Sequence, residues 1–92
     1  MARVVLLATA MKQAYALHEP ILTRVWRLIK RLEQWPAVSG VKALKGELAG
    51  KYRLRTGDYR VQFAVTKVNG KEVREYVVTV EQIGHRDGFY GD

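Results

Sequence analysis

Lys51, Arg53 and Arg55 stand two residues apart, Arg60 follows a Gly57-Asp58 pair, and Arg86 closes a late Gly84-His85-Arg86 run. On an extended strand such alternate residues share one face. The first three therefore form a row of fixed cations, while Tyr52 and Leu54 between them point to a core. Arg60 joins the row from a second strand beginning near Asp58, and Arg86 arrives where the last apolar strand ends. Cations gathered in this way suit a polyanion such as RNA. They also suit one reaction. When a ribose 2′-OH attacks the adjacent phosphate, negative charge concentrates on the phosphoryl oxygens, and guanidinium groups fixed around them stabilise that state without a metal. Arg60 and Arg86 fit this role. Arginine keeps its proton in proteins, so neither is a general base.

Proton transfer falls to other groups. His85, Tyr90 and Lys51 are the candidates, with Glu47 and Asp87 as weaker options. An imidazole titrates near pH ~6.5 and can shuttle protons at neutral pH, although a lone histidine at a strand end is more often a surface residue. Tyr90 can stack on a base as readily as it exchanges a proton, or simply anchor the chain against the sheet. Lys51 gives up its proton only if neighbouring cations crowd it; a phosphate contact is its simpler role. Lys45 and Arg55 extend the RNA-binding surface. Two histidines and no cysteine give no metal-ligand cluster, the glycines form no nucleotide-binding loop, and no cofactor is expected. Arg24, Arg27 and Arg31 read as a solvated helix face, Trp26 and Trp35 as packing residues, and His18 as structural.

These residues need a scaffold that holds them. Residues 3–8 read as a first strand, and Thr9 as the cap of a short helix running through Met11, Ala14 and Leu17. Pro20 suits the first turn of a second helix. Ile21, Val25, Leu28, Ile29, Leu32 and Trp35 recur at helical spacing as its buried face, and Pro36 stops it. Residues 36–50, with Pro36, Gly40, Gly46 and Gly50, read as a loop. Strands are expected at residues 51–56, 58–67 and 72–83, with Gly57 serving the first hairpin and Asn69-Gly70 the second. The result is an α+β fold, β-α-α-β-β-β: a mostly antiparallel sheet with two helices on one face and a polar, cationic face opposite.

The chain's 92 residues suit a single domain, 1–92. A chain this small buries only about 60 to 70% of its unfolded surface, so a partner covering an exposed face would add stability. Sixteen Lys and Arg against nine Asp and Glu give a net charge of +7. The excess is concentrated: Lys42, Lys45, Lys51, Arg53, Arg55 and Arg60 crowd one stretch that holds only Glu47 and Asp58 as acids. The amino-terminal apolar run is too short for a membrane span, and the lack of cysteine suits a reducing compartment, so a cytoplasmic location is expected.

The array LKGELAGKYRLRTGDYRVQFAV, followed by a valine-rich strand and IGHRDGFY, resembles the RelE-type branch of the RelE/ParE superfamily of type II toxins. The likeness covers essentially the whole chain. It implies a ribosome-dependent endoribonuclease that cuts messenger RNA in the A site and is held inactive by a cognate antitoxin with an acidic or amphipathic segment. Carried over by position, the family's basic residues fall on Lys51 and Arg53, its next-strand arginine on Arg60, its late arginine on Arg86 and its late tyrosine on Tyr90. His85 stands where some relatives have lysine. Two other readings are weighed: a ParE-like gyrase poison with the same fold and no nuclease chemistry, and a non-enzymatic RNA-binding module.

Overall fold

The computed structural model describes residues 2–69 and 74–88. In chain order the elements are β1 (Ala2–Leu6), α1 (Ala8–Tyr15), α2 (Ile21–Arg31), β2 (Lys42–Ala43), β3 (Lys51–Thr56), β4 (Tyr59–Asn69) and β5 (Arg74–His85). Short 3-10 turns occupy Leu32–Gln34, Gly46–Leu48 and Arg86–Gly88. The strands form one five-stranded sheet in the order β1-β5-β4-β3-β2. β1 runs parallel to β5 and every other pair is antiparallel. The α+β expectation holds, with both helices on one face.

That face is apolar because the strands alternate. Leu54 of β3, Val61 and Phe63 of β4, and Val78, Val80 and Ile83 of β5 are buried, as are Val25, Leu28 and Ile29 of α2 and Leu32 just beyond it. Ile21 and Trp35 pack against them half-buried. The helical spacing in the sequence therefore identifies the buried stripe of α2. Trp35 seals one end, its ring centroid 5.1 Å from Tyr52 and 5.6 Å from Phe63. Replacing fully buried Phe63 by Ala removes the centre of this cluster and is expected to cost about 3 to 5 kcal/mol. Urea unfolding measures it; a loss below about 1 kcal/mol would mean that the aromatic cluster is not what secures the sheet to α2.

α1 departs from expectation. Leu7, not Thr9, stands at its cap, and no side chain bonds there. The reason is tertiary: the Leu7 N–H still serves the sheet, donating to the Val80 carbonyl at 3.0 Å, so the helix opens where the strand's bonding ends. Met11 points outward, 37% exposed, whereas Ala10 and Ala14 are fully buried. Two small residues four apart let α1 lie close to β5. β1 stops opposite Val80, and beyond it the Ile83 N–H donates to Gln13 Oε1 at 2.6 Å. Pro20 directly precedes α2; Glu19 accepts the Thr23 N–H at 2.9 Å and its hydroxyl proton, satisfying an amide group that a helix start leaves open.

Residues 36–50 are not wholly loop. Lys42 and Ala43 pair with Arg53 and Tyr52, a strand too short for any periodicity to reveal. Gly57 has φ +58° and opens a Gly57-Asp58 hairpin loop between the paired residues Thr56 and Tyr59, the pattern of a type II′ turn. Gly70, expected in the second hairpin, lies outside the described residues. Among the described residues no helix is long and apolar enough to cross a membrane.

Candidate nucleic-acid interface

The sheet face turned away from the helices carries the cations. Directly paired residues share a face, and the ladder sets Lys42 beside Arg53, Arg53 beside Gln62, Arg55 beside Arg60 and Lys51 beside Ala64. On the far side of β4, Arg60 faces Gly84 and Gln62 faces Gln82. The expected row of Lys51, Arg53 and Arg55 exists. It is not uniformly solvated: Arg53 is 9% exposed and Arg60 only 7%.

Such burial is costly for a cation. Desolvation pushes the Arg60 pKa down, and the charges of Arg53, Arg55 and Arg86 push it down further, against the opposing pull of Asp58. An arginine nevertheless stays protonated. Arg60 is thus a charge held by the fold in a place that disfavours it, with three other guanidinium groups close enough to be felt. Guanidinium groups gathered in this way are the kind of group that stabilises a developing anion.

Arg86 reaches this group through the turn. Its backbone N–H donates to the Asp58 carbonyl at 2.7 Å, which ties the start of the last 3-10 turn to the β3–β4 hairpin. Its Nε lies 3.8 Å from a carboxylate oxygen of Asp58 and 3.8 Å from one of Asp87. The Arg86 side chain is 59% exposed, in contrast to buried Arg60.

His85 pairs with Tyr59 across the strands, its ring edge-on to the tyrosine at 5.4 Å between centroids. Its Nδ1 accepts the Asp87 N–H at 3.2 Å and lies 3.3 Å from Asp87 Oδ2; its Nε2 is 4.0 Å from Asp58 Oδ2. Neutral, the ring uses Nδ1 as acceptor and carries its proton on Nε2. Protonated, it meets two carboxylates. It shares a face with Tyr59 and not with Arg60, which pairs with Gly84, but it precedes Arg86 in the chain and adjoins Asp58, the aspartate that anchors Arg86. Tyr90 lies outside the described residues.

The Lys51 ammonium lies 2.8 Å from Glu81 Oε1, an acid that strand alternation does not single out. Lys42, in sequence only one more charge, pairs with Arg53 and so shares its face. Lys45 is exposed on the connection after β2, and it is not among the groups that perturb Arg60. Glu47 is exposed in the 3-10 turn Gly46–Leu48. Arg24 and Arg27 lie on α2, and Arg31 donates to the Ser39 carbonyl at 2.7 Å, which supports a structural role.

No protein-family model and no curated protein sequence matches the chain. Solved structures do. A chain of the RelBE2 toxin–antitoxin complex from Mycobacterium tuberculosis superposes with a TM-score of 0.68 at 26% identity, covering 91% of this chain and 96% of that one. A chain of the RelB–RelE antitoxin–toxin complex from Methanococcus jannaschii gives a TM-score of 0.64 at 21% identity, over 90% of this chain and 91% of that one. A conserved hypothetical protein from Helicobacter pylori gives a TM-score of 0.59 at 15% identity, over 95% and 97%. The last two likenesses bear on fold alone. This chain therefore has the fold of the RelE-type toxins, over 91% of its length in the first of these matches.

Proposed function

We propose that the chain is the toxin of a type II toxin–antitoxin pair and acts as a ribosome-dependent endoribonuclease on messenger RNA in the A site. The observation that carries the reading is buried Arg60, whose pKa is pushed down first by burial and then by the neighbouring charges of Arg53, Arg55 and Arg86, against the opposing pull of Asp58. In the reaction, the 2′-oxygen bonds to phosphorus as the bond to the 5′-oxygen breaks. The 2′-hydroxyl loses a proton and the leaving oxygen gains one, so the products are a 2′,3′-cyclic phosphate and a 5′-hydroxyl. Arg60 and Arg86 hold the phosphoryl oxygens as their charge grows. Arg53, Lys51, Arg55 and Lys45 hold neighbouring phosphates, and His85 and Tyr90 are the groups assigned to proton movement. The charge chemistry falls to guanidinium groups and requires no metal.

The partner is a cognate antitoxin, as in the complexes to which two of the matched chains belong. Its covering segment is acidic or amphipathic, since it must neutralise a chain of net charge +7. Brief induction of the chain, followed by mapping of RNA ends, tests both parts. New 5′-hydroxyl ends inside translated reading frames are expected, and they disappear when the product of the adjacent reading frame is co-expressed. DNA breaks with intact messages would instead indicate the gyrase poison, and neither effect would leave an RNA-binding module.

A further inference from the structure

Among the described residues, the cationic face contains a carboxylate held across its middle. Glu81 is the extra residue of a β-bulge: Phe63 pairs with Val80 and Gln62 with Gln82, so Glu81 has no partner on β4. A bulge redirects side chains, and this one sends the carboxylate over β4. There Glu81 Oε1 accepts from Gln62 Nε2 at 3.2 Å and lies 2.8 Å from Lys51 Nζ. Gln62 is 5% exposed and Glu81 20%, so the acid is embedded in the strip and bonded to residues of two other strands. Lys51, which it holds directly, and Arg53, which pairs with Gln62, are residues assigned above to phosphate.

We infer that Glu81 is a built-in counter-anion, a specificity-determining residue that occupies Lys51 until an RNA phosphate displaces it. The inference rests on the RNA-binding reading of this face. A bare strip of cations binds RNA of any sequence, because phosphate contacts carry no sequence information directly. An internal carboxylate at one position makes each phosphate compete for its ammonium. Indiscriminate binding to free RNA weakens, while a substrate whose phosphates are held in place by other contacts still engages the arginines.

The test compares wild type, Glu81→Gln, Lys51→Met and the double variant. Glutamine keeps an oxygen for Gln62 and removes only the charge. The probes are a short single-stranded 2′-O-methyl RNA, which lacks the attacking hydroxyl, and heparin, each titrated over a range of salt, with thermal unfolding of every variant alongside. Glu81→Gln is expected to bind both probes about two- to fivefold tighter near ~0.1 M salt, with a salt slope for RNA steeper by about 0.7, one more phosphate contact. In the Lys51→Met background the gain disappears. Equal or weaker binding by Glu81→Gln overturns the inference, and so does a gain that survives undiminished without Lys51, which would be a general charge effect. The heparin arm does not depend on nuclease activity. Should the wild type never cleave mRNA while Glu81→Gln still gains through Lys51, the counter-anion stands and the nuclease falls. Cleavage with no gain means the reverse: the nuclease stands and the counter-anion falls.

Discussion

Arg86→Ala is expected to lower the rate of mRNA cleavage by about 10² to 10³, and Arg60→Met by at least as much, because each is proposed to act as a fixed donor to the developing phosphoryl charge. Their effects on stability should differ from those of ordinary core substitutions. Arg86 is 59% exposed, so its loss leaves the fold alone. Arg60 is 7% exposed, and burial together with Arg53, Arg55 and Arg86 pushes its pKa down. A lowered pKa means that the folded state disfavours the charged form, and the charged form is the one present throughout the neutral range. Methionine fills similar space without charge, so Arg60→Met separates loss of the guanidinium from loss of its packing, and its Tm reads what the contacts of Arg60 contribute to the fold while activity collapses. Single-turnover cleavage and thermal unfolding measure the two quantities. Full activity in both variants would remove the site assignment, and a sharp fall in the Tm of Arg60→Met would make Arg60 a structural residue.

The second large effect concerns the ribosome. Among the described residues, the grouping best suited to proton transfer is His85 with Asp87 and Asp58, all of it exposed and engaged with its own chain. Such a site stabilises charge better than it orients a flexible substrate. In free RNA the 2′-hydroxyl is seldom in line with the leaving oxygen. A decoding centre that holds the message in that geometry would supply orientation worth up to about 7 to 11 kcal/mol for well-aligned groups. Cleavage of mRNA in ribosomes with an empty A site should therefore be orders of magnitude faster than cleavage of the same mRNA alone, at equal chain concentration. Chelator at a level that spares the ribosomes should leave the chemical step unchanged. Equal rates on bound and free mRNA would end the ribosome-dependent mechanism.

Much of this arrangement is legible in the residues. Alternation alone separates Lys51, Arg53 and Arg55 from Tyr52 and Leu54, since a strand buried on one side imposes period two. The stripe from Ile21 to Leu32 is equally plain, because burial of α2 leaves a helical period. What escapes depends on contacts between distant segments. The two-residue strand β2 has no period of its own. The preference of α1 for Ala10 over Met11 at its buried face follows from how closely β5 approaches. Glu81 gains its position from a bulge, which is one unpaired residue in a ladder and leaves no mark in the composition of either strand. The depth of Arg60 is invisible too, since a sequence shows which cations gather and not which of them water reaches.

The parallel pairing of Ala2–Leu6 with Tyr76–Val80 has a consequence for the order of events during synthesis. β5 is the last of the described strands to be made, and it alone joins β1 to the rest of the sheet. Until it emerges, the first strand has no neighbour, the apolar faces of α1 and α2 have only part of their floor, and Arg86, which follows β5 directly, is not there to be anchored by Asp58. Contacts so far apart along the chain form late and slowly. Arg53, Arg55 and Arg60 can meet on the β3–β4 hairpin as soon as it is made, but Arg86 joins them only after β5 has cleared the ribosome that made it.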